Sequence, residues 1–483
     1  MPRLFGTNGV RGIVGESMTP ELALDLGRAL GTWLHERCPW DHHGERPGVV
    51  IGTDFRTSAH ALSSAVAAGL LSTGCDVLDV GQAPTPAIQF ETKHREQVAV
   101  GVIVTASHNP PEWNGIKFCR GDGREMEPDH EEDIEEILFS RSFYAAAWDD
   151  QGSPMTVSGC VRRYHEGVKA QVDVEAIRAR GFTVAVDTAN GAGSVSLPFL
   201  LRELGCRVFT LNAQPDGTFP GHPSEPVPEN AVDLMSMVER RRCDLGVLVD
   251  GDADRAIFID EKGQYVWGDQ SLALVAAEIV RRHDGGVVCT PVSSSSCVEE
   301  MVGSAGGKVQ YTIVGSPKVA RAMVDVQAVF GGEENGGLIY PPHQYSRDAG
   351  MAAALMLDIL AKTDRPLSAL VSEVPKKSVV KLKTHVDDTQ KGYLLAAFKD
   401  KLESDGAPTG YTIREVDARD GVKAYLKEGW VLVRPSGTEP IMRVYAESGD
   451  EAVSKKMAET FLRFLESLQT EVKPAAGAAG RKA

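Results

Sequence analysis

A strand–turn–helix–strand unit occurs three times in this 483-residue chain and limits the possible folds more than any other sequence feature. The copies span residues 49–80, 184–211 and 287–314, and each begins with an apolar strand that ends in a turn rich in Gly, Ser or Thr. In the first two copies Gly-Cys precedes the second strand. Such a unit requires a parallel strand pair with a helix packed across it. The repeat therefore predicts three related α/β domains with mixed sheets.

The C-terminal part of the chain follows another pattern. Strands are predicted at residues 376–382, 429–434 and 441–447, and helical periodicity at residues 391–402 and 451–468. This order of elements predicts a smaller α+β domain.

We therefore predict four domains, followed by a low-complexity tail that is expected to be disordered. The predicted ranges are 1–155, 156–260, 261–370 and 371–470 for the domains and 471–483 for the tail.

The composition excludes several classes of protein. A net charge of −16, from 67 acidic and 51 basic residues, argues against a nucleic-acid binder, although a few basic side chains can still attract anions inside a cleft. Eight cysteines without C-x-x-C spacing are typical of reduced, buried thiols. Because the N-terminus lacks an apolar core and no run approaches about 18 apolar residues, we expect a cytoplasmic protein that binds no membrane.

The motif TASHNP, residues 105–110, directly follows a continuous apolar strand at 98–104. Ligands of open α/β sheets gather outside the carboxyl ends of strands, so Ser107 is placed to act as an oxygen nucleophile or phosphate carrier. Asn114-Gly115 predicts a turn that leads back towards Ser107 and brings Lys117 near it. The alternative is that Ser107 only satisfies backbone groups of its loop.

The motif DGDADR, residues 250–255, lies between two predicted strands. Its three carboxylates, at Asp250, Asp252 and Asp254, can converge on a hard cation such as Mg²⁺ or Ca²⁺. Solvated surface acids are an alternative, but carboxylates between buried strands repel one another unless a cation compensates. A calcium EF-hand is excluded because Arg255 stands where that loop needs glycine and because the flanks are strands.

Two further loops offer polar groups to a ligand. In GGEENGG, residues 331–337, Glu333 and Asn335 suit sugar hydroxyls, which both donate and accept hydrogen bonds. In RPSGTEP, residues 434–440, an arginine, two hydroxyls and successive backbone N–H groups can form an anion-binding concavity. A surface turn and a capped β-turn are the respective alternatives.

A glycine-rich opening, FGTNGVRG at residues 5–12, adds one cation, Arg11. The order FGTNGVRG, TASHNP with NGIK, DGDADR, GGEENGG, RPSGTEP resembles the α-D-phosphohexomutase superfamily, from residue 5 to about residue 447. That group includes phosphoglucosamine mutase, phosphomannomutase and phosphoglucomutase, and the GGEENGG form looks most like its archaeal members. The resemblance implies four domains around a central cleft and an isomerase that moves a phosphate between the 6- and 1-positions of a hexose.

The resemblance also implies roles for individual residues. Ser107 matches the phosphoserine, which completes a site for one Mg²⁺ per chain at Asp250, Asp252 and Asp254. Hexose 1,6-bisphosphate is implied as intermediate and activator. The implied catalytic residues are Ser107, Lys117, Arg11 and His108, with Lys117 as candidate general acid or base. The implied substrate-binding residues are Arg255, Glu333, Asn335, Arg434, Ser436, Gly437 and Thr438.

Some features stay open at this point. Many relatives have histidine where Gly337 stands, and another family histidine would fall near Ser316, so the proton-handling group opposite Lys117 is not assigned. Glucosamine is favoured over glucose and mannose by resemblance alone, and a monomer or a homodimer is expected. A metal-dependent serine phosphatase and a sugar-phosphate sensor are the competing hypotheses. The RPSGTEP loop would bind a second phosphate, which argues against the phosphatase. The complete catalytic set argues against the sensor.

Overall fold

The computed structural model describes residues 4–6, 9–38, 46–404, 410–436 and 440–471. Within them the chain forms four β-sheets in sequence order, each packed with helices. The predicted fold class, three related α/β domains and a smaller C-terminal α+β domain, is confirmed. The predicted tail lies outside the described residues except for its first residue. In this described part of the chain, no helix has the length and hydropathy needed to cross a bilayer.

The first sheet carries the first repeat. Its strands are β1 (Val10–Ile13), β2 (Gly48–Thr53), β3 (Asp76–Gln82), β4 (Val98–Val104), β5 (Trp113–Arg120) and β6 (Pro154–Thr156). Its helices are α1 (Pro20–Glu36), α2 (Ala59–Ser72), α3 (Thr85–Lys93) and α4 (Pro128–Ser140). The strand order is β1-β5-β4-β2-β3-β6, parallel between β4 and β2 and antiparallel between β4 and β5. Every residue of β4 is buried, as expected for an apolar strand covered on both faces.

The prediction of a turn at Asn114-Gly115 is wrong. Both residues lie inside β5, where Asn114 pairs with Gly12 and Gly115 pairs with Arg11 of β1. A Cβ at Gly115 would lie 2.8 Å from the carbonyl oxygen of Thr105, so the close approach of the strands requires glycine there. This pairing brings Arg11 beside the loop that follows β4.

The second sheet places the aspartate motif in a hairpin. Its strands are β7 (Thr183–Asp187), β8 (Arg207–Leu211), β9 (Leu245–Val249), β10 (Ala256–Ile259) and β11 (Tyr265–Val266). Its helices are α5 (Cys160–Lys169), α6 (Val174–Arg180), α7 (Leu197–Glu203) and α8 (Val232–Arg241). β7 and β8 pair in parallel, whereas β9 and β10 are antiparallel and are joined by residues 250–255. The three aspartates thus leave the carboxyl end of a fully buried strand.

The third sheet contains the last repeat and the sugar loop, which is the GGEENGG motif at residues 331–337. Its strands are β12 (Val287–Pro291), β13 (Lys308–Thr312), β14 (Phe330–Gly332), β15 (Leu338–Tyr340) and β16 (Gln344–Arg347). Its helices are α9 (Gly268–Arg282), α10 (Ser296–Ser304), α11 (Ser316–Asp325), α12 (Ala349–Thr363) and α13 (Leu367–Val371). Residues 333–337 join β14 to β15. The apolar core of α12 is continuous with core residues of the first two sheets, which fixes these domains against one another.

The fourth sheet is antiparallel throughout. Its strands are β17 (Ser378–His385), β18 (Ile413–Asp417), β19 (Val422–Leu426), β20 (Gly429–Pro435) and β21 (Ile441–Ser448). Its helices are α14 (Asp388–Ser404) and α15 (Glu451–Glu471). The predicted strands and helices of this region are present, while β18 and β19 are strands that the sequence analysis missed.

Lys423 joins the fourth sheet to the third. Its ammonium group donates to the carbonyl oxygen of Val292 at 2.6 Å and lies 4.0 Å from the centroid of the Trp430 ring. The rings of Tyr311 and Tyr425 lie 5.3 and 5.1 Å from it. Burial lowers the pKa of Lys423 to about 8, because desolvation disfavours the charged form.

The stability of the protein should depend on Lys423 in alkaline solution. Between about pH 8 and pH 10.5 the unfolded chain keeps this proton and the folded protein loses it. Stability therefore rises with pH in this window, by at most about 1.4 kcal/mol per pH unit from this group. In thermal unfolding at pH 7 to 10, the Tm of the wild type should rise relative to that of Lys423→Met above about pH 8. A difference in Tm that does not change with pH would contradict this assignment.

Candidate active site

Ser107 lies in the loop after β4 and is fully buried. Its φ of 53° is in the left-handed region, which a residue other than glycine occupies at a cost in strain. Its backbone N–H donates to Oγ1 of Thr105, and its Oγ donates to Oδ2 of Asp250 at 2.9 Å. Nδ1 of His108 is 3.4 Å from the same Oγ. The hydroxyl therefore faces the aspartate loop of the second domain, residues 250–255, instead of its own backbone.

Arg56 organises the Ser107 loop, and the sequence analysis missed it. Its side chain is fully buried, and its Nε lies 3.1 Å from Oδ2 of Asp54. The guanidinium group donates at 2.6–2.9 Å to the backbone carbonyl oxygens of Ser107, Asn109, Pro110 and Trp113. The available signal was a charged pair, Asp54 and Arg56, directly after the buried strand of the first repeat.

The three aspartates of the 250–255 hairpin converge. One oxygen from each lies within 4.8 Å of the others, and all three residues are buried. In the part of the chain that the structure describes, Oδ1 of Asp252 and Oδ1 of Asp254 have no hydrogen-bond partner. Burial raises the pKa of Asp250 well above its usual value, and the charges of Asp254 and Asp252 raise it further. These carboxylates fit a divalent cation, which would supply the missing charge and coordinate the orphaned oxygens.

Lys117 reaches the aspartates from the first domain. Its Nζ lies 3.1 Å from Oδ2 of Asp252, and Oγ1 of Thr85 donates to the same oxygen at 2.7 Å. Burial alone would raise the pKa of Asp252, but Lys117 and Thr85 stabilise its charge and lower the pKa overall. Thr85, at the start of α3, is another residue that the sequence analysis missed.

Arg11 and His108 flank the Ser107 loop. Nη1 of Arg11 donates to Oδ1 of Asn109 at 2.7 Å and to the carbonyl oxygen of Ala106 at 3.3 Å. Burial lowers the pKa of His108, and the positive charges of Arg255 and Arg11 lower it further, to about 2. The imidazole is therefore neutral at physiological pH.

The sugar-loop residues are held by specific contacts. Oε1 of Glu333 accepts a hydrogen bond from the backbone N–H of Gly315 at 3.1 Å. Oδ1 of Asn335 accepts one from the backbone N–H of Gly337 at 3.0 Å. A cavity of about 780 Å³ borders both Asn335 and Arg255, so the sugar loop and the aspartate loop share an open space.

The predicted phosphate loop belongs to the fourth domain. Nη2 of Arg434 lies 3.4 Å from Oδ2 of Asp420, and the backbone carbonyl of Ser436 accepts a hydrogen bond from Nζ of Lys391. Gly437 and Thr438 lie outside the described residues. The structure thus brings together the Ser107 loop, Lys117 and the aspartates, and it places Arg434 at the end of β20 and Ser436 directly after this strand.

Addition of a divalent cation should stabilise the protein, because the cation relieves repulsion among three buried carboxylates. We expect the Tm to rise on addition of millimolar Mg²⁺ and to fall again with EDTA. Asp254→Asn should remove most of this shift. As a control, Asp364→Asn changes an exposed aspartate that pairs with Arg180, and it should keep the shift. An unchanged wild-type Tm would contradict the cation site.

Comparison with known proteins agrees with this fold. Residues 2–145, 162–263 and 267–378 match the alpha/beta/alpha domains I, II and III of phosphoglucomutase/phosphomannomutase, and residues 382–464 match its C-terminal domain. Together these matches cover most of the chain. The protein therefore belongs to the phosphoglucomutase/phosphomannomutase family, within the α-D-phosphohexomutases that the motif order resembles.

Similar proteins match along almost their whole length. A phosphoglucomutase/phosphomannomutase of Thermococcus kodakarensis is 44% identical over 466 residues, 96% of this chain and 99% of the relative. A probable phosphoglucosamine mutase of Methanopyrus kandleri is 39% identical over 473 residues, 98% of this chain and 100% of the relative. The crystal structure of a family protein from Burkholderia thailandensis superposes with a TM-score of 0.85 at 26% identity and covers 98% of each chain.

Proposed function

We propose that this protein is a phosphohexose mutase that interconverts hexose 6-phosphate and hexose 1-phosphate through phospho-Ser107 and a hexose 1,6-bisphosphate. The observation that carries the proposal is the position of Ser107 Oγ, 2.9 Å from Oδ2 of Asp250. A phosphoryl group on this serine would lie against the carboxylates that fit a cation, and Nζ of Lys117 is 3.1 Å from one of them, Asp252. Phosphoryl transfer depends mainly on such positioning and charge neutralisation.

The proposed cofactor is one Mg²⁺ held by Asp250, Asp252 and Asp254 together with the phosphoryl group on Ser107. When bound, it supplies Lewis-acid stabilisation of the transferring group. Arg255 can add to this, because its buried Nε lies 3.7 Å from Oδ1 of Asp254 and makes no hydrogen bond in the described part of the chain.

Lys117 is the proposed general acid or base for the hexose hydroxyl, a role worth about 10²–10⁴-fold. Arg11 supports the loop that carries the phosphate, through Asn109. His108, neutral at physiological pH, can exchange hydrogen bonds with Ser107 Oγ. Ser107 is fully buried, and exclusion of water from a phosphate on this residue would favour its transfer to a sugar over hydrolysis, as a mutase requires and a phosphatase does not.

The bisphosphate must turn end for end between the two transfers. We assign to Glu333 and Asn335 the binding of sugar hydroxyls in both orientations, since a carboxylate and an amide together can accept and donate. Arg434 and Ser436, with Gly437 and Thr438, are assigned to the phosphate that is not reacting. Such a second phosphate grip is needed by a mutase and not by a phosphatase.

The proposed substrate is glucosamine 6-phosphate, converted to glucosamine 1-phosphate. Several relatives of 35–39% identity carry the name phosphoglucosamine mutase, which supports this choice. The alternative is a phosphomannomutase/phosphoglucomutase, the name of the relative that is 44% identical. The domain boundaries and the choice between monomer and homodimer stay predictions.

Turnover after priming tests the proposal. The protein is treated with glucose 1,6-bisphosphate and Mg²⁺, and the 6-phosphates of glucosamine, mannose and glucose are then supplied separately. We expect 1-phosphate from each productive sugar, with the largest kcat/KM for glucosamine. Release of inorganic phosphate alone would instead support a phosphatase. Binding of these sugars without any product would support a sensor.

A further inference from the structure

Arg347 connects the aspartate loop to the sugar loop. It ends β16, and its side chain is 7% exposed. Its Nη2 lies 2.5 Å from Oδ2 of Asp254, and its Nη1 lies 3.1 Å from Oε2 of Glu333. One guanidinium group thus bridges a carboxylate assigned to the cation and a carboxylate assigned to the sugar. Neither the motif order nor the family resemblance assigns a role to this arginine.

Gly337 provides the space that Arg347 occupies. A Cβ at position 337 would lie 2.2 Å from Cδ and 2.9 Å from Cγ of Arg347. These methylene groups cannot simply move aside, because the guanidinium group is held at both ends by ion pairs. The loop is also held, since the backbone N–H of Gly337 donates to Asn335. A side chain at position 337 and the present position of Arg347 therefore exclude each other.

We propose that Arg347 is a positioning residue that couples occupancy of the cation site to the binding of sugar phosphate, an inference that rests on the proposed function. Oδ2 of Asp254 is bound to Arg347, whereas Oδ1 has no hydrogen-bond partner in the described residues. A cation held by Asp254 would restrain this carboxylate and, through the guanidinium group of Arg347, the position of Glu333. Glu333 is held at its other oxygen by Gly315, so it has one defined orientation.

Arginine suits this role better than lysine. Its planar fork reaches two carboxylates at once, whereas an ammonium group is a point charge on a flexible stem. Loss of the guanidinium group leaves two buried carboxylates, those of Asp254 and Glu333, without the positively charged group that bridges them. The carboxylate of Glu333 is then no longer connected to the aspartate loop. The effect of the divalent cation on the binding of sugar phosphate should therefore be lost.

The test measures binding, so it does not depend on turnover. The affinity of the unphosphorylated protein for glucosamine 6-phosphate is determined by calorimetry with and without Mg²⁺. In the wild type we expect Mg²⁺ to tighten this binding about tenfold or more, and in Arg347→Lys by less than about twofold. Arg282→Lys is the matched control, because Arg282 bridges Glu278 and Asp358 away from the site and should keep the wild-type linkage.

A second pair of variants tests the shared space. Gly337→Ala should weaken the linkage about as much as Arg347→Lys, whereas adding Gly337→Ala to Arg347→Ala should cause no further loss. The proposal would be overturned if Mg²⁺ tightened sugar-phosphate binding equally in the wild type and in Arg347→Lys. It would also be overturned if the effects of Gly337→Ala and Arg347→Ala on this tightening were additive. If linkage is present but no hexose phosphate turns over, the proposed function fails and the role of Arg347 stands. If turnover occurs without linkage, the reverse holds.

Discussion

Ser107→Ala is expected to lower kcat by about 10⁴-fold or more and to leave the fold intact. The variant has no oxygen to carry the phosphate, and residues that act as one catalytic unit lose nearly all activity when the nucleophile is removed. The measurement is turnover of glucosamine 6-phosphate after priming, together with transfer of labelled phosphate from the bisphosphate to the protein. Both should be absent in the variant.

A matched control for this change is Ser271→Ala. Ser271 is also fully buried, but it lies in α9, and within the described part of the chain its hydroxyl donates only to the backbone carbonyl of Gly268. Its replacement should change kcat by less than about twofold. If Ser107→Ala kept more than about 1% of wild-type kcat, Ser107 would not be the phosphate carrier.

Arg56→Met is the second change from which we expect a large effect. It removes the guanidinium group that donates hydrogen bonds to four backbone carbonyl oxygens, and it leaves the buried Asp54 without its ion-pair partner. Breaking a buried pair on one side costs about 3–5 kcal/mol, so thermal unfolding should begin several degrees lower. Because the same donor holds the loop of Ser107, kcat should also fall, by about 10²-fold.

The control for Arg56→Met is Arg163→Met. Arg163 also forms a forked ion pair, with Glu91, but it is partly exposed, it lies outside the site, and Arg95 stays as a second partner of Glu91. We expect a loss of less than about 1 kcal/mol and an unchanged kcat. A variant at position 56 with wild-type kcat would show that the loop keeps its shape without this arginine.

The sequence was most informative where chemistry and backbone periodicity coincide. Ser107 follows a continuous apolar strand. Asp250, Asp252 and Asp254 stand at every second position of a loop between two apolar strands. Both loops could therefore be placed at strand ends. In the structure these side chains are indeed buried neighbours, with Ser107 Oγ bound to Asp250. Their catalytic and cation-binding roles stay predictions, as do those of the sugar and phosphate loops.

The wrongly predicted turn and the missed site residues have a common cause, which is contact between segments distant in sequence. Asn114-Gly115 is a favoured turn sequence, but pairing with β1 holds both residues in a strand. Tertiary contacts thus overrode a local preference. Thr85 and Arg347 were missed because their partners, Asp252 and Asp254, are 167 and 93 residues away in the chain.

The three α/β units, the fourth domain and the residue types at the strand ends follow from the sequence alone, because strand and helix periodicity and turn chemistry are local properties. Which charged side chains meet depends instead on how distant segments pack in the folded protein. Arg56 among the carbonyls of the Ser107 loop and Arg347 in the space left by Gly337 result from packing between distant segments. A local pattern carries no information about such contacts, since the same arginine on an open surface would have the same neighbours in sequence.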